Sequence, residues 1–266
     1  MKIYISADIE GVTGVTHWDE TIKGKEEYEK YAQQMTLEVK AACEGAINAG
    51  VDEIWVKDAH DSGRNIDHNQ LPKNTKLIRG WTGHMYSMVE GLDSTFDALL
   101  FIGYHSASGT DTNPLSHTMH VSKVNYIKLN GQPLSEFLFH TYIAAYLNVP
   151  VVFLSGDLGL CDEANRINSN IVTIPVKEGI GAATISIHPK LAIELIKSGV
   201  EESLKKDFSL YKIELPKSFQ LEISYRENID LMKALNYPNI KQIGPKDVSF
   251  QTEDYIEVVR AIEFLV

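Results

Sequence analysis

The chain opens MKIYISADIEGVTG (Met1–Gly14), and the reading of this stretch decides the fold. Ile3, Tyr4 and Ile5 are strong strand formers, so Lys2–Ala7 is expected to be a β-strand. Two carboxylates, Asp8 and Glu10, then stand one residue apart and run into Gly11. Residues two apart in an extended chain project to the same face, so the two acids would point together. Like charges held that close need a cation, a shared proton or open water. The ordinary alternative is a pair of solvated acids at a strand end. Gly11 and Gly14 allow the backbone to turn tightly beside whatever is bound.

The same arrangement recurs further along. VDEIWVKDAHDSG (Val51–Gly63) supplies a second strand through Val56 and a polar turn. STFDALLFIGYHSASG (Ser94–Gly109) supplies a third, nearly continuous in apolar residues from Ala98 to Ile102, and VPVVFLSGD (Val149–Asp157) a fourth of the same kind. Continuous rather than alternating hydrophobicity marks strands covered on both faces. Between the first two lies a long helix, about residues 25–49, in which Tyr28, Tyr31, Met35, Val39, Ala42 and Ala46 recur at helical spacing before Gly50 stops it. The fold class is therefore α/β, a mainly parallel sheet sandwiched by helices. Each strand ends in polar residues and usually glycine, and in open α/β sheets ligands bind outside the carboxyl ends of the strands.

The segment VNYIKLNGQPLSEFLFHTYIAAYLN (Val124–Asn148) carries Asn130-Gly131, a two-residue hairpin signal, and Ser135 as the N-cap of a helix from Glu136. A further helix is expected around Pro189–Lys206, followed by a polar connection. The tail reads as a strand (Leu221–Tyr225), a helix (Asn228–Leu235), a strand pair around Gln242–Gln251 and a final helix (Thr252–Phe264). The chain thus divides into a larger α/β part over residues 1–212 and a smaller α+β unit over 213–266.

Composition narrows the partners. The 266 residues are 44% hydrophobic and 23% charged, as in an ordinary folded protein, so disorder is not the expected state. A formal net charge of -11 repels phosphate backbones and anionic membranes, which argues against nucleic acid or membrane partners and for small molecules and cations. Cys43 and Cys161 form no CxxC pair, so neither a disulfide framework nor a thiolate zinc site is indicated, and a reducing cytoplasm fits. The opening apolar run is too short and too acidic for a signal peptide, and no run reaches the roughly 20 residues of a bilayer span.

His60 and His105 follow the second and third strands just as Asp8 and Glu10 follow the first. Imidazole nitrogen with carboxylate oxygen is the ligand mix of zinc or a neighbouring first-row metal. A structural role for either histidine alone is the ordinary reading; their coincidence with the acids at strand ends is the signal. His68, His84, His120 and His188 lack that placement and are read as surface or structural. His140, four residues after Glu136 on one helix face, is read as structural too.

Together these residues resemble the M55 family of metallopeptidases, the D-aminopeptidases. SADIEGVTG (Ser6–Gly14) matches the family's Ser-x-Asp-x-Glu-Gly signature. The resemblance continues in order through VKDAHDSGRN (Val56–Asn65), SMVEGLDSTFDALLFIGYH (Ser87–His105), LSHTM (Leu115–Met119) and LSEF (Leu134–Phe137). It covers residues 1–160 well and the remainder loosely.

The resemblance implies a site for two zinc ions per chain, with Asp8, Glu10, His60, His105 and Glu136 as ligands and Asp8 bridging. It implies that His117 is the catalytic histidine; a histidine near the carbonyl can be a proton shuttle, an oxyanion stabiliser or the attacking group, and the first two are favoured. Glu136 by itself reads only as a helix-start acid. Asp58 and Asp157 read either as acids that orient the ligating imidazoles or as capping or solvated loop acids. The implied activity is a cytoplasmic hydrolase, an aminopeptidase releasing N-terminal D-residues from short peptides or amides. The implied assembly is a ring-shaped homo-oligomer, a homodecamer. Two alternatives stand beside it: another metal-dependent amidohydrolase or esterase, and a non-catalytic dipeptide-binding protein, suggested by the family's association with dipeptide transport operons.

Overall fold

A computed structural model describes all 266 residues. Seven strands build the main sheet: β1 (Lys2–Ala7), β2 (Glu53–Asp58), β3 (Thr75–Ile78), β4 (Ala98–Tyr104), β7 (Val151–Asp157), β8 (Val172–Ile180) and β9 (Ala183–Ser186). Their order is β3-β2-β1-β4-β7-β8-β9, and every neighbouring pair is parallel except the β8–β9 hairpin. β4 and β7 are buried along their whole lengths, as their unbroken apolar runs require. Strands β3, β8 and β9 were not legible in the sequence.

Four helices serve this sheet. α1 (Tyr28–Asn48) and α4 (Pro189–Lys205) pack against each other so closely that Gly45 has no room for a side chain: a Cβ there would lie 2.3 Å from the Lys197 carbonyl oxygen. α2 (Glu136–Tyr146) packs on β4 and β7, and α3 (Leu158–Ile167) follows β7 and packs on β7 and β8. Because β1-α1-β2 runs toward one edge of the sheet and β7-α3-β8 toward the other, right-handed crossovers place α1 and α3 on opposite faces.

A second, antiparallel sheet has the order β11-β12-β10-β5-β6. Its strands are β5 (Val124–Leu129), β6 (Gln132–Pro133), β10 (Phe219–Tyr225), β11 (Lys241–Gln242) and β12 (Asp247–Thr252), with α5 (Asn228–Ala234) and α6 (Tyr255–Leu265) packed on it. The β5–β6 hairpin turns at Asn130 and Gly131, with φ of 51° and 80°, the left-handed pair such turns demand. The smaller unit is thus not made of the tail alone. A hairpin from the middle of the chain completes its sheet, and one continuous apolar core runs from Ile3 to Leu265.

Two glycines let the strand ends converge. At Gly103, φ is +70° and a Cβ would lie 2.3 Å from the Asp8 carbonyl oxygen. At Gly11 a Cβ would lie 1.8 Å from the Tyr104 carbonyl oxygen, so the loop after β1 crosses directly over the end of β4.

Candidate metal centre

The five expected ligands and His117 meet at the carboxyl ends of β1, β2 and β4, although they come from five separate segments. Asp8 and Glu10 follow β1, His60 follows β2, and His105 directly follows β4. Glu136 is the first residue of α2, whose N-cap Ser135 accepts from the Leu138 amide at 3.0 Å. His117 lies on the loop between β4 and β5, fixed by Thr118, whose hydroxyl donates to Leu134 O at 2.8 Å.

The donor atoms form two groups, Asp8–Glu10–His60 and His105–His117–Glu136, each with its atoms within 4.8 Å of one another. Asp8 reaches both. Its Oδ1 is 3.3 Å from His60 Nδ1, and its Oδ2 is 3.4 Å from His105 Nε2. Glu10 Oε2 lies 3.1 Å from His60 Nδ1, and Glu136 Oε2 lies 3.4 Å from His105 Nε2. Donors bound at about 2.1 Å around a tetrahedral cation stand about 3.4 Å apart, so these spacings suit a shared divalent ion.

Hydrogen bonds aim the imidazoles. His60 Nε2 lies 2.9 Å from Thr21 O and His105 Nδ1 lies 2.9 Å from Ser106 O. A carbonyl can only accept, so each of these nitrogens carries the proton and the other nitrogen of each ring is left free to face the carboxylates. His117 Nδ1 donates in the same way to Leu115 O at 2.9 Å, leaving Nε2 facing Glu136 Oε1 at 3.7 Å. The His117 ring stacks on His105 with centroids 4.3 Å apart, and its edge meets Trp18. Distance alone therefore does not separate His117 from the ligands.

Burial and mutual pairing set the charges of the centre. Burial, then the neighbouring Glu10 charge, raises the Asp8 carboxyl to about 8. Burial also works against ionisation of Glu10 and Glu136, but the imidazoles of His60 and His105 prevail. Glu10 is held well below the usual range and Glu136 at about 2. The same pairing, against burial, lifts His105 to about 10. Burial and the neighbouring His105 lower His117. Buried Glu10 Oε2 and His105 Nε2 have no hydrogen-bond partner. Buried carboxylates and orphaned donor atoms converging on one point fit a pair of divalent cations.

Of the two readings of Asp58 and Asp157, the structure favours capping and loop closure over orienting an imidazole. Asp58 accepts from the Asn65 and Ile66 amides and from Asn65 Nδ2, which closes the loop carrying His60. Asp157 accepts from the Ser106 amide and hydroxyl, from Asn113 Nδ2 and from the Leu160 amide. Neither hydrogen-bonds an imidazole; both fix backbone. Buried His140 donates Nδ1–H to Glu136 O at 2.7 Å and stays outside the donor groups, as read from sequence.

Sequence reasoning missed the support around the centre. Lys177 on β8 is buried, and its ammonium donates to Glu10 O and Val15 O, pinning the loop after β1. Glu38 on α1 accepts from the Thr13 amide at 3.1 Å. No local motif marks either residue, because the groups they bind lie far away in sequence.

The donor groups open into a cavity of about 530 Å³ whose walls include Trp18, Ile22, Trp81, Met88, Met119 and Val121. Such a cavity holds a ligand of dipeptide size. A parallel α/β sheet with paired nitrogen and oxygen donor groups beneath a pocket of this kind defines a metallohydrolase-like architecture.

Comparison with known proteins narrows the class. The model of the peptidase M55 family, described as D-aminopeptidase, matches residues 1–264. A D-aminopeptidase of Bacillus subtilis (strain 168) is 30% identical over 264 residues, covering 98% of this chain and 95% of the relative. The solved structure of the Zn-dependent D-aminopeptidase DppA from Bacillus subtilis, described as a self-compartmentalizing protease, superposes with a TM-score of 0.90. At 30% identity, that match covers 100% of this chain and 96% of the other. The chain belongs to the M55 peptidases, the D-aminopeptidase family.

Proposed function

We propose that this protein is a dinuclear zinc aminopeptidase that releases N-terminal D-residues from short peptides or amides. The observation that carries the reading is the sharing of Asp8, one carboxylate oxygen toward each donor group. Asp8, Glu10 and His60 would hold one ion, and Asp8, His105 and Glu136 the other. His117, which lies within the second donor group, is assigned to chemistry on its match to the family's catalytic histidine.

Bound zinc supplies Lewis acidity, polarising a carbonyl and making hydroxide available near neutral pH. The protein's residues do the rest. Asp8, Glu10 and Glu136 neutralise the cations, and the Thr21 and Ser106 carbonyls keep His60 and His105 in the tautomers that can bind them. His117, held by Leu115 O, keeps Nε2 unprotonated at rest, a lowered pKa favouring that state. Nε2 accepts a proton as the carbonyl is attacked and delivers it to the departing amine nitrogen as the C–N bond breaks.

The B. subtilis relative's description as self-compartmentalizing supports a homo-oligomer that encloses its sites; the ring-shaped homodecamer admitting only short peptides is our proposal, carried by the family resemblance. We propose a cytoplasmic location; no helix is long and apolar enough to cross a membrane. The deciding experiment measures metal per chain on untagged protein together with hydrolysis of D- and L-aminoacyl amides. Two zinc ions and preference for the D-amides support the proposal; hydrolysis of esters but no amide points to another metal-dependent hydrolase, and two ions without turnover to a binding protein.

A further inference from the structure

Trp81 is an exposed indole that the protein nevertheless holds on several sides. It lies on the loop between β3 and β4, lines the cavity over the donor groups, and is 42% exposed. The Lys57 ammonium sits 3.8 Å from the centroid of its ring. The indole Nε1 donates to Asp61 O at 2.7 Å, next to His60 in sequence. Asp61 itself takes φ 45°, an unusual conformation outside glycine that turns this carbonyl toward the indole.

The holding groups are themselves anchored. Lys57 is buried, paired with Glu90 Oε1 at 2.9 Å, and donates to Gly80 O, the carbonyl just before Trp81. Glu90 Oε2 accepts from the amide of Thr82 at 2.9 Å and from its hydroxyl, just after Trp81. One buried ion pair thus grips the chain on both sides of a single aromatic residue. A buried ion pair costs desolvation and is weak evidence for a purely stabilising role. Beyond the grip, a large ring face in water gains nothing for folding. Across the same cavity Ile22, 45% exposed, and Val121, 40% exposed, are likewise uncovered apolar side chains.

We infer that Trp81 is a specificity-determining residue: a preorganised platform against which the apolar or aromatic side chain of the substrate's N-terminal residue packs, so that large apolar D-residues are preferred to D-alanine. The inference rests on the aminopeptidase reading above and deepens it by naming the substrate class. Holding the ring in place beforehand means that little conformational freedom is lost when substrate arrives. Trp81 touches neither donor group, so its contribution scales with the substrate's side chain and leaves the common chemistry alone.

The test compares kcat/KM for D-phenylalanine amide, D-leucine amide and D-alanine amide in zinc-loaded wild type, Trp81→Ala and Trp81→Phe. Binding of the products D-phenylalanine and D-alanine is measured by calorimetry in parallel. Loss of an aromatic contact of this kind is expected to lower the phenylalanine-to-alanine selectivity of Trp81→Ala by roughly tenfold. Trp81→Phe should recover part of it, and the loss on D-phenylalanine amide should exceed the loss on D-alanine amide. Equal losses on all three amides, or unchanged selectivity in both rate and product binding, would overturn the platform. A changed oligomeric mass in Trp81→Ala with unchanged selectivity would also overturn it, placing the ring in a subunit contact. Wild type inactive on every amide would instead count against the aminopeptidase reading, and product binding by calorimetry would still judge the platform.

Discussion

Replacing Lys57 by methionine tests how much the buried ion pair beneath Trp81 matters. The Lys57 and Glu90 side chains are 0% and 2% exposed, so removal of the ammonium leaves a carboxylate with little access to water. Breaking one partner of such a pair typically costs about 3–5 kcal/mol. Two hydrogen bonds from Thr82 remain on Glu90 and offset part of that, while Gly80 O loses its donor and adds roughly 1 kcal/mol. The expected cost is therefore near the low end, about 3 kcal/mol. For a chain of this size that corresponds to a fall in Tm of roughly 6–12 °C. Adding Glu90→Gln, which still accepts from Thr82 but carries no charge, should return at least about 1.5 kcal/mol. The assay is denaturant unfolding of the four proteins of the double-mutant cycle, with Tm as a check. A coupling energy under about 0.5 kcal/mol would refute the reasoning, because it would mean that water reaches Glu90 and the grip on the Trp81 loop is loose.

Four further outcomes are expected. Asp8→Ala should remove most of the capacity for both metal ions, read as zinc per chain, whereas full occupancy would end the bridging assignment. His117→Ala should keep both ions and the assembly yet lose about a hundredfold to a thousandfold in kcat with KM little changed; lost metal would move His117 among the ligands. Burial raises the Glu163 carboxyl to about 7, opposed by the hydroxyl of Ser135 that donates to it at 2.7 Å. The folded state thus binds this proton more tightly than the unfolded chain, and stability falls as pH rises from the ordinary glutamate range to about 7. Glu163→Gln should accordingly gain about 1–3 kcal/mol at pH 8 and almost nothing at pH 4, and equal gains at both would show that the group titrates normally. Light scattering should find a mass many times the 29.8 kDa chain; an active monomer would contradict enclosure of the sites.

How much could be read from the sequence depended on whether the signal was local. The unbroken apolar runs of β4 and β7 announced a parallel sheet, and the carboxylates and histidines just after β1, β2 and β4 announced where its chemistry lies. Ser135 and the Asn130-Gly131 turn set the start of α2 and the hairpin before it. Glu136 and His117 were different. Each reaches the centre through long-range packing, so neither stood out without the family resemblance. β3 is short and partly exposed and β8 alternates irregularly, so neither gave a clear period. Lys57, Trp81 and Lys177 were invisible for the same reason: their partners lie far away in sequence, and a lysine inside a strand segment says nothing about which carbonyl it will find.

The scattered origin of the donor groups also fixes when, during folding, they can exist. Asp8 is brought beside His60 only when Lys2–Ala7 has paired with Glu53–Asp58, and beside His105 only when Ile3–Ala7 has paired with Ala98–Ile102. Glu136 arrives later still in the chain, behind a hairpin that belongs to the other sheet. Parallel pairings of this kind close long loops and form slowly. On the proposed ligand assignment, a nascent chain would have no high-affinity place to hold zinc until most of its topology is complete. The metal would then not be a nucleus around which the polypeptide organises, as it is in domains that are unfolded without it. It would be the final component to be seated, and a folded, metal-free form should be isolable and become competent on adding the ion.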